Sequence, residues 1–299
     1  MAVNTFNITS GANFIPEIWA KEVEDAVQAE TVLTDLVDTR YEADMKFGDI
    51  LRINDDANLA VRMKATDTTA TLSNATETQQ ALTINLHAYC AFLVEDMLEL
   101  QSKYAIRSHK SEKIAYALTS FIEGDITSGL ASLPSAFSQV VGTLGTDPTQ
   151  DDLIQAKKYL DAADVPQSDR FWYGGPGLQT AMLKMTAFTS SDFVGQASAE
   201  AAAKKGIVGM VYGSKVYEST LADNNPAAAN QAYGWYCHKK GVILVQQQKV
   251  QIHTQYTILE VGWTVLGNTI YNFAERLILP KTAASTSPND NFNVAIATS

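Results

Sequence analysis

The first part of the chain combines an extended segment with a helical pattern. Apolar residues recur at roughly helical spacing, with acidic residues between them, across residues 15–38 (IPEIWAKEVEDAVQAETVLTDLVD). Pro16 stands where a helix would begin, because the missing N–H of proline costs nothing there. The pattern predicts an extended arm followed by an amphipathic helix.

Two strand patterns flank a long polar excursion. Residues 48–53 (GDILRI) and 81–94 (ALTINLHAYCAFLV) alternate apolar and polar positions, as half-buried strands do. Residues 54–80 between them hold too few large apolar side chains to form a core of their own. We therefore expect this excursion to project as a long hairpin or loop.

A long helix is predicted after the second strand. The chain has neither glycine nor proline from Asp96 until Gly124, and Asp96 suits the N-cap while Gly124 lies near the predicted end. Such a helix is about 40 Å long. Its apolar positions are clear at both ends and sparse in the middle, which favours a helix lying across a surface.

The second half of the chain predicts a helix followed mainly by strands. Residues 149–152 (TQDD) have the form of a capping box and open a helix. Residues 169–177 (DRFWYGGPG) read as a strand and tight turn that lead into a short helix, and residues 198–206 are helix-like. Residues 207–219 give one or two strands, residues 233–280 give several, and a polar tail with a short apolar end follows.

Composition describes a folded protein with an acidic surface. The 299 residues are 46% hydrophobic and 18% charged, which is enough to build a substantial core. The net charge of −11 argues against broad gripping of phosphate backbones. Cys90 and Cys237 fit reduced, buried thiols in a cytosolic setting, and no export signal or membrane span is predicted, so we expect the chain to stay in the cytoplasm.

The sequence contains one incomplete anion-binding pattern and no catalytic motif. The Gly174–Gly177 turn would suit an anion at a helix N-terminus, but Pro176 removes one N–H and no dinucleotide or P-loop motif is present, which favours a plain turn. The four histidines lack metal-binding spacing, and the paired acidic residues fit solvated surfaces. No catalytic residue, cofactor or metal is therefore predicted, and the chain is not expected to be an enzyme.

One basic cluster and one apolar group are candidate contact sites. Lys103, Arg107 and Lys110 share one helical face by their spacing of four and three, either as a solvated face or facing phosphate or a neighbour's carboxylates. The arm's apolar residues precede any domain-forming strand and need a surface to cover them: Phe14, Ile15, Ile18 and Trp19. With its arm, projecting hairpin and surface helix, the chain is typical of a part that contacts copies of itself.

The order of these elements resembles the major capsid proteins of tailed bacteriophages, which have the α+β Hong Kong 97-type fold also used by encapsulin shells. The resemblance covers nearly all 299 residues. It implies these units: an N-arm and first helix at 1–47, an E-loop at 48–92, a P-domain with a spine helix at 93–147 and 249–282, an A-domain at 148–248, and a C-terminal tail at 283–299. The resemblance implies that the turn at 174–177 is a structural element of the A-domain.

The resemblance implies a structural function. The chain would assemble with itself, as hexamers and pentamers, into an icosahedral virion capsid enclosing non-specifically packaged double-stranded DNA. Assembly would occur in the host cytoplasm with scaffolding, portal and possibly decoration proteins as partners, and without a membrane. The arm residues and the E-loop residues Arg62 and Lys64 would contact neighbouring subunits, and Lys103, Arg107 and Lys110 would face inward.

Some family features do not transfer to this sequence, and two alternatives stay open. No partner asparagine or catalytic acid can be assigned for a lysine–asparagine cross-link of the kind some relatives form. The chain begins almost at the arm, which implies a separate scaffolding protein or a processed chain. The alternatives are an encapsulin-like shell and a cytosolic enzyme that binds a phosphorylated ligand at the Gly174–Gly177 turn.

Overall fold

Five helices and eleven strands make up the described part of the chain. The computed structural model describes residues 28–56, 61, 63–70, 72, 77–101, 106–132, 140–143, 145–185, 209–223, 233–276 and 293–297. The helices are α1 (Leu33–Leu36), α2 (Asp96–Gln101), α3 (Ile106–Ser132), α4 (Gln150–Ala162) and α5 (Pro176–Lys184). The strands are β1 (Ile50–Asp56), β2 (Glu77–Thr83), β3 (Leu86–Glu95), β4 (Val140–Val141), β5 (Arg170–Gly174), β6 (Met210–Val211), β7 (Ser214–Glu218), β8 (Tyr233–His238), β9 (Val242–Thr257), β10 (Gly262–Glu275) and β11 (Asn293–Ala297).

These strands form three sheets. β1 and β2 form an antiparallel hairpin, and β3, β10 and β9 form an antiparallel sheet with β10 in the centre. The third sheet has six strands in the order β4-β11-β8-β5-β7-β6, with parallel pairs at β4–β11 and β5–β7. Only the short 3-10 turn Lys239–Gly241 separates β8 from β9, so the chain passes almost directly from the large sheet into the three-stranded one.

The six-stranded sheet is buried on both faces, which explains why β5 (RFWYG) is buried throughout. Phe171 and Tyr173 face a core shared with α1 and α3, whereas Trp172 faces the core made with α4 and α5. Trp172 stacks on Tyr236 with ring centroids 4.0 Å apart. The predicted capping box is confirmed, since Thr149 and Asp152 exchange hydrogen bonds at the start of α4.

Helix α3 lies along the three-stranded sheet. Its buried stripe repeats every four residues at Ile114, Leu118, Ile122 and Ile126. The predicted end of this helix, close to Gly124, is too early, because the helix continues to Ser132. Burial of side chains on both sides of the glycine offsets its cost, which is only about 1 kcal/mol in a helix. None of the described helices is long and apolar enough to cross a bilayer.

The second predicted strand divides into two strands in different sheets. β2 pairs with β1, whereas β3 begins after Ile84 and Asn85 and pairs with β10. The predicted division at residue 92 therefore falls inside a strand of the three-stranded sheet. Ile84 remains buried beside the hairpin base, and the chain changes partners there.

The predicted amphipathic helix before residue 38 is wrong in its described part. Residues 28–32 are not helical, and α1 is a single turn. Two contacts explain the difference: the Glu123 carboxylate accepts the N–H groups of Val32 and Leu33, and Asp38 forms a parallel bridge with Ile243 of β9. Residues 1–27 lie outside the described residues.

The prediction of a tail over residues 283–299 is wrong in its described part, residues 293–297. Residues 293–297 form β11, which lies inside the six-stranded sheet between β4 and β8. Val294 and Ile296 are fully buried against the α4 side of that sheet. Cys237 is buried, whereas the prediction that Cys90 is buried is wrong, since its side chain is only half-buried.

Candidate assembly surfaces

The β1–β2 hairpin is packed at its base, and the described residues beyond its paired strands are exposed. Leu51, Ile53 and Leu82 are buried with Ile243 and Val245 of β9. The pairing ends at Asp56 and Glu77. Among the described residues beyond that pair, three apolar side chains are almost entirely exposed: Val61 at 98%, Met63 at 101% and Leu72 at 89%.

Hydrogen bonds from three side chains fix the hairpin base to the long strands. Gln247 donates to the Gly48 carbonyl at 2.9 Å, Asn272 donates to the Thr83 carbonyl at 2.6 Å, and Gln80 donates to the Glu275 carbonyl at 2.6 Å. These bonds hold the base of the hairpin against β9 and β10. Of the two predicted E-loop contact residues, Lys64 is exposed near the tip and Arg62 lies outside the described residues.

A buried carboxylate that sequence reasoning missed anchors residues 28–37, which we call the arm root. Glu123 on α3 is fully buried, and its Oε2 accepts the N–H groups of Val32 at 2.7 Å and Leu33 at 3.1 Å. Its Oε1 accepts the Tyr173 hydroxyl of β5 at 2.8 Å. Glu123 therefore joins the arm root, α3 and the six-stranded sheet. The four predicted arm residues Phe14, Ile15, Ile18 and Trp19 lie outside the described residues.

The predicted basic cluster is described at two of its three positions. The Arg107 guanidinium lies 4.8 Å from the centre of the Trp263 ring, in cation–π geometry on the sheet side of α3. Lys110 is exposed, and Lys103 lies outside the described residues. An inward-facing role for these residues stays a prediction.

A second exposed apolar region lies at the far end of the three-stranded sheet. The 3-10 turn between β9 and β10 carries Ile258 at 81% exposure and Leu259 at 96%. α2 begins beside this turn, because the Asp96 N–H donates to the Val261 carbonyl at 3.2 Å, and Leu100 of α2 is 86% exposed. Sequence reasoning missed this region, although an Ile-Leu turn without glycine or asparagine is an unusual signal.

The Gly174–Gly177 turn is filled by the protein itself. A Cβ on Gly174 would lie 2.6 Å from the Leu178 side chain, and one on Gly234 would lie 2.4 Å from it. The Gly174 carbonyl accepts the Ser219 N–H at 3.1 Å. The glycines thus permit close packing of Leu178 between β5 and β8, which supports the structural interpretation of the turn.

The remaining candidate chemistry consists of ordinary structural contacts. His238 is buried and accepts the Lys240 N–H at 3.1 Å, and burial lowers the pKa of its imidazole. His87 and His253 are exposed. Within the described ranges, no group of three or more histidine, cysteine or carboxylate side chains is placed to hold a metal ion.

Comparison with known proteins identifies the fold through structure alone. The sequence matches no protein-family model and no curated protein. A structure from Mycobacterium phage Che8 has a TM-score of 0.74 at 19% identity, covering 99% of this chain and 98% of that one. The capsid structure of the cyanophage P-SCSP1u has a TM-score of 0.76 at 16% identity, covering 100% and 97%. The mature capsid of bacteriophage PhiM1 has a TM-score of 0.70 at 11% identity, covering 95% and 91%.

These similarities extend over nearly the whole chain. At such low identity they establish the fold and nothing finer. The chain has the fold of tailed-phage capsid proteins, and the predicted α+β capsid fold is confirmed.

Proposed function

We propose that this chain is a major capsid protein that assembles with itself into an icosahedral shell around double-stranded DNA. The capsid fold supports this, and the observation that carries it is the β1–β2 hairpin. Its base is fixed by three hydrogen bonds, and its described tip residues Val61, Met63 and Leu72 are almost fully exposed. Apolar side chains held so far from any core of their own chain favour a neighbouring copy as partner.

The proposal assigns a geometric function to the chain, not a catalytic one. Hexamers and pentamers would form through the hairpin, the arm and the apolar end of the three-stranded sheet. Scaffolding, portal and decoration proteins would be further partners, assembly would occur in the host cytoplasm, and the finished shell would be part of the virion.

The shell would enclose DNA without recognising its base sequence. A net charge of −11 per copy repels DNA unless basic side chains are segregated to the inner face. Lys103, Arg107 and Lys110 would supply that face, with weak and salt-sensitive contacts. Free subunits should bind duplex DNA no tighter than roughly 10⁻⁴ to 10⁻⁶ M at physiological salt.

Electron microscopy of the purified chain tests the proposal. Shells, tubes or capsomers are expected, and a compact small oligomer that binds nucleotide tightly would instead favour the enzyme alternative. Shells that carry enzymes instead of DNA in their native host would identify an encapsulin-like container.

A matched variant tests whether the hairpin drives assembly. Replacing residues 57–76 by a two-residue Asn-Gly turn keeps the β1–β2 pairing, which runs from Ile50 and Thr83 to Asp56 and Glu77. We expect a folded, soluble chain that forms no shells. Normal shells from this variant would show that the hairpin is dispensable.

A further inference from the structure

β3 is an edge strand that lacks the usual protection. It ends the order β3-β10-β9 and pairs with β10 without interruption from Leu86 to Glu95. Within the described ranges no strand pairs with its other edge. Edge strands are normally protected by proline, lysine or a bulge, and β3 (LHAYCAFLVE) has none of these. As far as the described residues go, its outer row of backbone N–H and C=O groups is therefore open to another strand.

An apolar groove of about 490 Å³ runs beside this edge, between β3 and α3. Its apolar lining includes Ala88, Cys90, Leu118 and Phe121, and Phe121 is 56% exposed. The groove is open on the β3 side because α3 lies directly over β10, where Gly267 permits a very close approach to Ile114. The half-buried residues of β3 that face the helix thus lack a cover on one flank.

The sequence of the hairpin tip has the alternation of a β-strand, but its described residues pair with no other strand. Residues 59–65 (LAVRMKA) place large apolar side chains at 59, 61 and 63, and cationic ones at 62 and 64. This period of two is typical of a half-buried strand. Yet Val61 and Met63 are fully exposed, and the described residues 61 and 63–65 form no strand.

We propose that residues 59–65 of one copy add as a strand to the outer edge of β3 in a neighbouring copy. Val61 and Met63 would enter the groove beside α3, and Arg62 and Lys64 would lie on the other face of the sheet. There Tyr89 is 71% exposed and offers its ring to a cation. This inference rests on the proposed function, because it requires an adjacent copy of the chain.

The sequence favours this segment over the arm as the occupant. Residues 14–19 (FIPEIW) do not alternate, and Pro16 lacks the N–H that a paired strand donates. The segment's own copy is a poor receptor, since the hairpin strands extend about 23 Å from the base where β3 begins. The exposure of Val61 and Met63 agrees with an empty groove within one copy.

Cys90 supplies a built-in probe of this contact. It lies on the groove side of β3 and is half-buried, whereas the other thiol, Cys237, is fully buried. We would introduce one cysteine at a time at residues 60 to 65, oxidise the assembled particles mildly, and measure disulfide-linked dimers on non-reducing gels. Disulfides require Cα atoms about 4.4–6.8 Å apart with their Cβ atoms facing each other, so the yield reports on side-chain direction.

The expected result is a yield that alternates along the segment. Val61→Cys or Met63→Cys should cross-link severalfold more than Arg62→Cys or Lys64→Cys, and Cys90→Ser should abolish the dimers. All of these positions lie beyond the paired ends of β1 and β2, so the variants should fold equally well.

The other outcomes separate this inference from the proposed function. Shells without cross-links, or with equal yields at all positions, would overturn strand addition and leave the capsid proposal standing. Cross-links from Ile15→Cys to Cys90 in place of the hairpin would identify the arm as the occupant and also overturn it. A chain that never forms particles would contradict the proposed function itself.

Discussion

Asn293 of β11 donates a hydrogen bond from Nδ2 to Glu275 Oε1 at 3.1 Å, and so ties the last described strand to the end of β10. The same amide donates to the Gly241 carbonyl at 2.9 Å. Asn293 is fully buried, and a Cβ on Gly241 would lie 2.0 Å from its Oδ1. This buried polar contact is the joint between the six-stranded sheet and the long strands.

The joint should make stability depend on pH. Burial raises the pKa of Glu275 to about 8 from an ordinary value of 4.5, and the hydrogen bond from Asn293 opposes this only in part. Because the folded pKa is the higher one, this contribution to stability is complete below about pH 4.5 and is lost as the pH rises towards 8. One proton gives a slope of at most about 1.4 kcal/mol per pH unit.

Urea unfolding between pH 5 and 8.5 measures this slope. Glu275→Gln cannot ionise, so its free energy of unfolding should vary less with pH than that of the parent chain. Equal slopes in the two proteins would show that Glu275 does not titrate in this window.

The Glu123 anchor should be among the most sensitive positions of α3. Glu123→Ala leaves the N–H groups of Val32 and Leu33 and the Tyr173 hydroxyl without their acceptor, at a cost of about 3 kcal/mol or more. Glu112→Ala on the exposed side of the same helix is the matched control and should change stability by less than about 0.5 kcal/mol. Thermal unfolding compares the two, and similar losses would contradict the anchor.

Two glycines near α3 should respond to alanine in opposite ways. A Cβ on Gly267 would lie 2.3 Å from Ile114 Cγ2, so Gly267→Ala should destabilise the chain by about 1–3 kcal/mol. Gly124 has nothing within 4 Å of its Cβ position, so Gly124→Ala should stabilise the helix by up to about 1 kcal/mol. In the pair Gly267→Ala and Ile114→Ala, the combined loss should be smaller than the sum of the single losses. If the losses in unfolding free energy were additive, Gly267 and Ile114 would not be in the close contact that the structure shows.

Local signals predicted much of this fold, and long-range contacts explain the errors. The start of α4 follows from Thr149 and Asp152 alone, because a capping box needs only neighbouring residues. The shape of residues 28–37 depends on Glu123, whose partners lie 50 to 91 positions away in the sequence. A buried carboxylate in a mid-helix position looks like any other glutamate until its partners are known.

The candidate assembly surfaces also divide into features that local sequence predicts and features that depend on long-range contacts. The polarity of residues 54–80 predicted a projecting hairpin, since a segment without a core needs no knowledge of its partner. The open edge of β3 was not predictable in this way, because whether a strand lies at an edge depends on the order of strands in the sheet. Hydrogen exchange, measured before and after assembly, tests whether the arm contacts neighbouring subunits. The arm residues in question are Phe14, Ile15, Ile18 and Trp19.

The last strand gives the sharpest test of the fold. Residues 293–297 (NVAIA) resemble a tail because a polar stretch precedes them, but β11 lies between β4 and β8 and covers the core that contains Leu153 and Leu160. Ending the chain after residue 292 should expose that core and leave the β8 edge unpaired, so that the six-stranded sheet unfolds or aggregates. Far-ultraviolet circular dichroism and limited proteolysis of the truncated chain measure this. Ile296→Ala, which removes one fully buried side chain, should lose about 2–5 kcal/mol while keeping the fold. A truncated chain as stable as the parent would show that residues 293–297 are a tail after all.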